Sequence, residues 1–306
     1  MSDTTGADAD RRHAQPDLPL PELRRLLREG KQALITQFRA GKATVPNADR
    51  LVRQLTQHVD GVLGHLWHQS DLPRGAALLA VGGYGRGELF PYSDVDVLLL
   101  LPEELAEPCA QGTDDPRRAG IEAFITACWD IGLEIGSSVR TVEECVSEAQ
   151  ADVTVQTALL EARFLCGARR LFDQFRRWTH DVLDPAAFLR AKSLEMQQRH
   201  VKYENTPFSL EPNCKESPGG LRDLQVVRWI ALGAGLGRSW RELATKGLIT
   251  RFEATQLQRN EGLLKLIRAR LHTIAGRRED RLVFDLQTAV AESFGYVSTP
   301  ERRASE

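Results

Sequence analysis

The sequence predicts an α+β fold, in which a small mixed sheet with its helices is followed by an all-α region. Short apolar stretches at residues 76–81 and 95–101 flank a glycine-rich loop, and helically spaced leucines precede them. From about residue 152 onward, almost every segment has helical periodicity. The length of 306 residues suggests two domains, which we place at 21–150 and 151–306. Residues 1–20 are expected to form a disordered polar tail.

The segment before the first strand predicts two helices. Leucines and Phe38 recur at helical spacing over residues 21–38. A second leucine and valine stripe follows Asn47, which we interpret as the N-cap of the second helix. Proline and glycine at residues 71–75 then end this helix before the strand at 76–81.

The segment after the strand at 95–101 alternates between helix and strand signals. A polar loop at 102–116 precedes a predicted helix at 117–129 and a strand-like stretch at 133–141. Thr141 and Glu144 have the spacing of a capping box, so a helix is expected to begin there. This order of elements fits a small mixed sheet with helices on one face.

The second half predicts three long helices. Asp184 followed by Pro185 is a helix start, and that helix is expected to run to about residue 203. Prolines and glycines make residues 205–220 irregular, before helices at 221–234 and 252–276. Thr299-Pro300 predicts another helix start, and because so few residues follow, we expect a fragment of a longer protein.

Composition excludes several classes of protein. The net charge of −2 argues against a strongly basic nucleic-acid binder. The apolar runs are far shorter than the ~20 residues of a membrane span, and the polar N-terminus lacks the apolar region of a secretory signal. Five scattered cysteines without a CxxC pair indicate reduced thiols, so we expect a cytoplasmic protein.

The most informative motif joins a double glycine, Gly82-Gly83, to an acidic pair, Asp94 and Asp96. Alternation along the strand places both carboxylates on one face, with Cα atoms roughly 7 Å apart. Such a pair is costly without a cation, and oxygen ligands suit Mg²⁺, which also takes oxygens from a substrate phosphate. The glycines let backbone N–H groups approach a phosphate closely. The motif therefore indicates a site for nucleotidyl transfer assisted by two metal ions.

A third carboxylate is expected near this pair, as metal ligand or as base. Glu134 is our candidate, because it stands in an apolar strand-like stretch that would not otherwise favour a charge. Asp130 is the alternative, although it also fits the end of the preceding helix. Arg140 follows Glu134 by six residues, on the same face if the strand persists, where it would meet phosphate.

A second motif occupies residues 213–225. Its Ser-Pro-Gly-Gly segment is a tight turn that opens a helix, and helix N-termini attract anions. Lys215 and Arg222 add charges suited to a triphosphate. A loop with a solvated charge cluster explains the same spacing equally well. His200, on the preceding helix, faces either a nucleotide or the protein interior.

Three segments together resemble the bacterial PII uridylyltransferase/uridylyl-removing enzyme family over roughly residues 20–306. They are Val-Gly-Gly-Tyr-Gly-Arg-Gly-Glu-Leu with the following Ser-Asp-Val-Asp, the stretch 129–140, and Asn-Cys-Lys-Glu-Ser-Pro-Gly-Gly-Leu-Arg-Asp at 213–223. The resemblance implies a DNA-polymerase-β-like nucleotidyltransferase fold followed by a helical domain. It also implies a reaction in which UTP and Mg²⁺ bind, a tyrosine of the signalling protein PII attacks the α-phosphorus, and pyrophosphate leaves.

The resemblance also implies roles for individual residues. Gly82 and Gly83 match the phosphate-contacting glycines of the family, and Asp94 and Asp96 match its metal-binding aspartates. Glu134 is the hypothetical base or further metal ligand. The remaining nucleotide-binding candidates are Arg86, Ser93, Arg140, Lys215 and Arg222.

The family continues into an HD phosphohydrolase domain and two ACT domains, and this chain ends before them. Two other functions fit the same residues. One is an adenylyltransferase of the same superfamily, which would use ATP or modify glutamine synthetase. The other is a nucleotide-sensing module that binds nucleotide without catalysis.

Overall fold

The computed structural model describes residues 17–105 and 116–306. Most of the expected N-terminal tail, residues 1–16, and part of the polar loop, residues 106–115, lie outside the described residues. The described part contains twelve α-helices and one four-stranded sheet. The helices are α1 (Leu20–Ala40), α2 (Val45–Gln69), α3 (Gly82–Gly85), α4 (Pro116–Asp130), α5 (Val142–Ala151), α6 (Val153–Leu160), α7 (Arg169–Asp181), α8 (Pro185–Lys202), α9 (Leu221–Gly233), α10 (Trp240–Thr245), α11 (Arg251–Ala275) and α12 (Phe284–Ser293).

The sheet is mixed, in agreement with the predicted α+β class. Its strands are β1 (Ala77–Ala80), β2 (Val95–Leu101), β3 (Ile135–Thr141) and β4 (Arg163–Gly167), in the order β3-β2-β1-β4. β1 is antiparallel to β2 and β4, and β2 is parallel to β3. Because β2 and β3 are parallel, their first residues lie side by side at the same end of the strands.

Helices cover both faces of this sheet, so the expectation of helices on one face is wrong. Leu78 and Leu99 pack in a core with residues of α1, α2 and α4. Leu79 and Leu98 point to the opposite face and pack with residues of α5, α6 and α7. The physical reason is in the sequence of β1 and β2, which is apolar at successive positions rather than at alternate ones.

The fourth strand lies beyond the boundary predicted near residue 150. β4 pairs with β1 from Ala77↔Gly167 to Ala80↔Arg163, within a region expected to be almost entirely helical. Five residues are too few for periodicity to distinguish a strand from a helical turn, and the pairing itself is non-local. We therefore propose that the sheet-containing part of the chain extends through Gly167.

Local capping signals were good guides to helix starts. The capping box of Thr141 and Glu144 is confirmed, since each side chain accepts from the backbone N–H of the other residue. The Asp184 side chain caps α8, as predicted, by accepting from the N–H groups of Ala186 and Ala187. These caps use groups within three residues, which is why sequence alone identifies them.

Four local predictions fail. Asn47 is not an N-cap, because α2 starts at Val45 and the Asn47 amide donates to the carbonyl of Lys42. The glycine-rich segment forms the short helix α3 rather than a loop. Helices α10 and α12 have no counterpart in the prediction. The expected helix start at Thr299 is also absent, since the segment after it contains only turns and bends.

The helical second half packs back on the sheet-containing half through α11. Leu266 and Ala269 of this helix are buried in the same core as α1 and α2. Gly262 makes the close approach feasible, because a Cβ there would lie 2.6 Å from Cγ1 of Val45. The two halves therefore form one packed body, and the groove between them is set by this contact.

Two further observations concern the predicted environment of the chain. No helix in the described ranges has the length and apolarity needed to cross a bilayer. The four described cysteines, in agreement with the absence of paired cysteine motifs, are free thiols: Cys128, Cys145, Cys166 and Cys214.

Candidate active site

The two aspartates lie where β2 begins, next to the glycine turn. The Val81 N–H donates to the carbonyl of Asp96 at 3.0 Å, which ties the end of β1 to the start of β2. Gly82 follows with φ +57°, a conformation that favours glycine, and a Cβ there would lie 3.4 Å from Oδ2 of Asp96. The first amides of the helix that begins here have no intrahelical acceptor, so they are available to an anion beside the carboxylates.

The charges around this pair are unbalanced. Burial, and then the neighbouring Asp94, raise the pKa of Asp96, and Lys215 and Arg278 partly offset that rise. Arg278 also donates directly to Asp94, so a cationic group already lies against the pair. Two close carboxylates that attract a cation are a hard-oxygen donor set, which is the chemistry that Mg²⁺ prefers.

Glu134 lies beside the pair and Asp130 does not. The Val95 N–H donates to the carbonyl of Glu134 at 2.9 Å, so this residue stands opposite Asp94 at the edge of the parallel strands. Asp94, Asp96 and Glu134 line one open cavity of about 620 Å³, whereas Asp130 is outside its lining. Within residues 17–105 and 116–306, no three acidic, histidine or cysteine side chains converge tightly enough to hold a metal ion.

A second, deeper cleft opens on the same two aspartates from the other side. It has a volume of about 390 Å³ and runs between the sheet edge and the helical half. Gly82, Gly83 and Ser93, which the sequence analysis proposes as nucleotide-binding residues, line it next to Asp94 and Asp96. Its opposite wall, called here the cationic wall, includes Thr154, Thr157, Lys192, Lys215, Arg222 and Trp229. Two carboxylates of the same lining partly balance its three cations, since Glu195 pairs with Lys192 and Glu216 pairs with Lys215 and Arg222. An acidic pair facing a cationic wall is suited to a metal-bound polyphosphate.

The predicted second motif supplies part of that cationic wall. The Asn213 side chain accepts from the N–H groups of Lys215 at 3.0 Å and Glu216 at 2.8 Å, which fixes the turn. Gly219 has φ +79°, and its N–H donates to Asp223 at 2.7 Å. Burial, and then neighbouring arginines, lower the pKa of Lys215, as expected for an amine held among other cations. The motif is thus an ordered loop that points charge into the cleft rather than a solvated cluster.

Two predicted arginines have other roles in the structure. Arg86 lines the cleft, but its guanidinium pairs with Glu88 at 3.0 Å and also with Glu161, so the protein itself balances its charge. Arg140 is opposite Leu100 in the β2–β3 register, four positions beyond the Asp96 pair, and its partner is Glu148 at 3.6 Å. The expectation that Arg140 reaches the site is wrong, because six strand residues separate it from Glu134 by roughly 20 Å.

His200 is also accounted for by packing. Its Nε2 lies 2.9 Å from Oδ1 of Asp223, the same carboxylate that Arg199 binds. This carboxylate in turn accepts from Gly219, so His200 supports the loop of the second motif. It is not among the residues that line the cleft.

Sequence reasoning missed many residues of the cleft, among them Lys192, Trp229 and Arg278. Lys192 is 1% exposed, and its amine lies 4.6 Å from the ring centroid of Trp229. Arg278 reaches Asp94 across 184 residues of sequence. No local pattern marks any of these residues, because each joins the site through tertiary packing alone.

Comparison with known proteins connects both motifs to one group of enzymes. The sequence model described as GlnD PII-uridylyltransferase matches residues 187–306, and that of a nucleotidyltransferase domain matches residues 68–151. A bifunctional uridylyltransferase/uridylyl-removing enzyme of Cupriavidus pinatubonensis is 58% identical over 300 residues, which are 95% of this chain and 33% of that protein. One of Burkholderia thailandensis is 57% identical over 277 residues, or 88% of this chain and 31% of that protein. The chain therefore spans about a third of the length of these relatives, and the nucleotidyltransferase match is consistent with a DNA-polymerase-β-like fold.

Proposed function

Because this chain is related to the bifunctional uridylyltransferase/uridylyl-removing enzymes over about a third of their length, we propose that it transfers UMP from UTP to a tyrosine of the signalling protein PII. The observation that carries this proposal is the cleft in which Asp94 and Asp96 face a glycine turn on one side and a cationic wall on the other. The same two carboxylates also border the open cavity on the Glu134 side, which would admit an acceptor side chain.

Asp94 and Asp96 are the proposed ligands of Mg²⁺. Burial of Asp96 and its repulsion by the neighbouring Asp94 raise the pKa of Asp96, and a bound cation would stabilise its ionised form. Mg²⁺ bound there would polarise the α-phosphate, and two ions would serve both the attacking and the leaving oxygen. Substrate phosphate oxygens normally complete such coordination, so two protein carboxylates suffice. Glu134 lines the open cavity beside them and is proposed as the base rather than as a ligand, because no three such side chains among the described residues converge on a metal ion.

The chain's own residues would orient the nucleotide and balance its charge. The amides of the Gly82-Gly83 turn, with Ser93, are proposed to hold phosphate oxygens near the acidic pair. Lys215 and Arg222 would neutralise the β- and γ-phosphates, whose charge grows as pyrophosphate leaves. Lys192 lines the same wall and would add a third positive charge.

The chemical step is an in-line displacement. The tyrosine oxygen forms a bond to the α-phosphorus while the bond to the bridging oxygen of the β-phosphate breaks. The phenol has an ordinary pKa of about 10, so it must lose its proton during attack. Glu134, on the side of the pair away from the main cleft, is the proposed acceptor of that proton.

The test is transfer of labelled UMP to PII, together with release of pyrophosphate from UTP and Mg²⁺. The double variant Asp94→Asn with Asp96→Asn should keep its fold and lose transfer by at least about 100-fold, because transition-state charge stabilisation is lost. Thermal unfolding checks the fold. Retained transfer by the folded double variant would defeat the proposed mechanism.

A matched pair of variants tests the third carboxylate. Glu134→Gln removes the charge that lines the open cavity, whereas Asp130→Asn changes a carboxylate outside it. We expect the first to lower the transfer rate by at least about tenfold and the second to leave it unchanged. Equal losses in both, or a loss only in Asp130→Asn, would contradict the assignment. Replacing UTP by ATP in the same assay tests the choice of nucleotide.

A further inference from the structure

Apart from the active-site cleft and the open cavity beside Glu134, the protein has a further cavity, called here the second cavity, which lies behind one wall of the cleft. Its volume is about 420 Å³, and it is bounded by β4, α7, α9 and the end of α6. Arg86, Glu161 and Trp229 line both this cavity and the cleft of the acidic pair, so these three side chains form a shared wall. Neither Asp94 nor Asp96 reaches the second cavity.

Arginine dominates the lining of this cavity. Six guanidinium groups surround it and Glu161 is its only carboxylate. The six are Arg86, Arg163, Arg169, Arg176, Arg228 and Arg238. Four of them have acidic partners, but Arg176 and Arg238 enter none of the ion pairs formed by described residues. The buried Nε of Arg163 also has no hydrogen-bond partner. The cavity thus holds more positive charge, and more donors, than its own residues satisfy.

Aromatic side chains also line the cavity, and Phe172 and Trp229 among them are almost fully buried. Phe164 and Phe172 line it with ring centroids 5.7 Å apart, and the Arg169 guanidinium lies 5.1 and 5.2 Å from them. The indole of Trp229 lines the opposite side and donates to Glu161. Guanidinium groups bind phosphate in a bidentate manner, and a nucleobase would stack on the partly exposed Phe164 or on the Arg169 guanidinium plane that covers it.

We propose that this cavity is a regulatory site for a second nucleotide, one that carries at least two phosphates and is not the transferred UTP. Its volume falls within the range of small-ligand pockets, about 300 to 1,000 Å³. Since the lining contains one carboxylate rather than an acidic pair, the phosphates are neutralised by arginine and need no divalent metal. This distinguishes the second cavity from the cleft, where Asp94 and Asp96 repel a phosphate that lacks a metal ion.

The shared wall couples this cavity to the cleft. Glu161 accepts both from Arg86 and from the indole of Trp229, and its side chain is only 4% exposed. Trp229 in turn lies beneath Lys192 and Arg222 in the cleft, 4.6 and 5.2 Å from their charged groups. A phosphate that draws Arg86 toward the second cavity would loosen this arrangement, so each nucleotide alters the affinity for the other.

Binding of ADP in EDTA tests the proposal. ADP lacks a γ-phosphate, and EDTA removes the metal that the cleft requires. Isothermal titration should find one ADP site in the wild-type chain. Arg169→Ala with Arg176→Ala should weaken it at least tenfold, while the matched variant Arg170→Ala with Arg177→Ala, on the same helix but outside the lining, should not. Arg238→Ala, from a different segment, should weaken binding severalfold and guards against misfolding of the α7 variant.

Two controls separate the cavity from the cleft. Asp94→Asn with Asp96→Asn should retain the wild-type ADP site in EDTA, even if transfer proves to be absent from this chain. Any further ADP that binds the cleft once these carboxylates are removed should be unaffected by Arg169→Ala with Arg176→Ala. In the presence of Mg²⁺, ADP should shift the UTP affinity of the wild type and not that of the Arg169/Arg176 variant. Absence of ADP binding, equal weakening by both arginine pairs, or ADP binding that depends on the acidic pair would overturn the proposal.

Discussion

Two clusters of charge border the active-site cleft, and they differ in how their charges are balanced. The acidic pair, Asp94 and Asp96, consists of like charges at a partly exposed sheet edge. The buried ion cluster contains three carboxylates and three cations in alternating contact. Its members are Arg86, Glu88, Glu161, Arg228, Glu261 and Lys265. The first cluster is incomplete without a ligand, whereas the second is complete within the protein.

The pKa values of Glu88 and Asp96 are shifted in opposite directions, although burial also raises the pKa of Glu161 within the buried ion cluster. Burial would raise the pKa of Glu88, but Arg86 and Lys265 lower it to about 2. For Asp96, burial and a carboxylate neighbour act in the same direction and raise the pKa. The charge of Glu88 is therefore tolerated in the interior because cations surround it. Asp96 has a carboxylate neighbour instead, so a bound cation would stabilise its charge.

The buried ion cluster also connects the two halves of the chain. Glu88 follows the glycine-rich helix of the sheet-containing half, while Arg228 and Lys265 belong to α9 and α11 of the helical half. Lys265 donates to Glu88 at 2.6 Å and lies 2.8 Å from Glu261. The cluster thus bridges the two halves and adds to the packing of α11 against the sheet-containing half.

Among the variants considered, Glu88→Ala is expected to lose the most stability. Removing the central carboxylate leaves Lys265 and Arg228 buried without it, which should destabilise the fold by about 3–5 kcal/mol. Urea unfolding measures the loss. Glu134→Ala, at an exposed carboxylate beside the acidic pair, is the control and should change stability by no more than about 0.5 kcal/mol. A cost below that of the control would show that the cluster is not structural.

A smaller effect is expected in the dependence of stability on pH, to which Glu88 contributes at acid pH. The folded-state pKa of Glu88 is about 2, below its ordinary value of 4.5, so the unfolded chain binds its proton first. Its stabilising contribution is complete above about pH 4.5 and is lost as the pH falls toward 2, at about 1.4 kcal/mol per pH unit. Glu88→Gln should flatten this part of the stability profile. An identical slope in the variant would assign the acid sensitivity to other groups.

The sequence predicted the acidic pair and missed the buried ion cluster for the same physical reason. Asp94, Asp96 and the glycine turn lie within fifteen residues of one another, and strand alternation alone places both carboxylates on one face. The partners of Arg86 lie 2 and 75 residues away, so its spacing suggested a phosphate ligand while packing made it part of a wall.

The same distinction between local and non-local information holds for the fold. Strand β2 was predicted with the bounds that the structure has, because its apolar run is continuous and ends at a proline. Strand β4 was missed, since Arg163–Gly167 becomes a strand only by pairing with β1, more than eighty residues earlier. Lys192 and Trp229 were missed for that reason too, because their contact depends on how α8 packs against α9.

The smallest effect, and the most direct contrast with Glu88, is expected from Asp96→Asn. Burial and the neighbouring Asp94 raise the pKa of Asp96, so its ionised form is less favourable in the folded chain than in the unfolded chain, and the uncharged amide should raise the stability of the ligand-free protein. Thermal unfolding without nucleotide measures this gain, and Asp130→Asn is the matched control. With Mg²⁺ and UTP added, the order should reverse, because ligand binding stabilises the wild type and not the variant. A variant that is less stable than the wild type in both conditions would mean that the Asp96 carboxylate stabilises the ligand-free fold, as Glu88 does. That result would contradict the proposed role of Asp96 as a cation ligand.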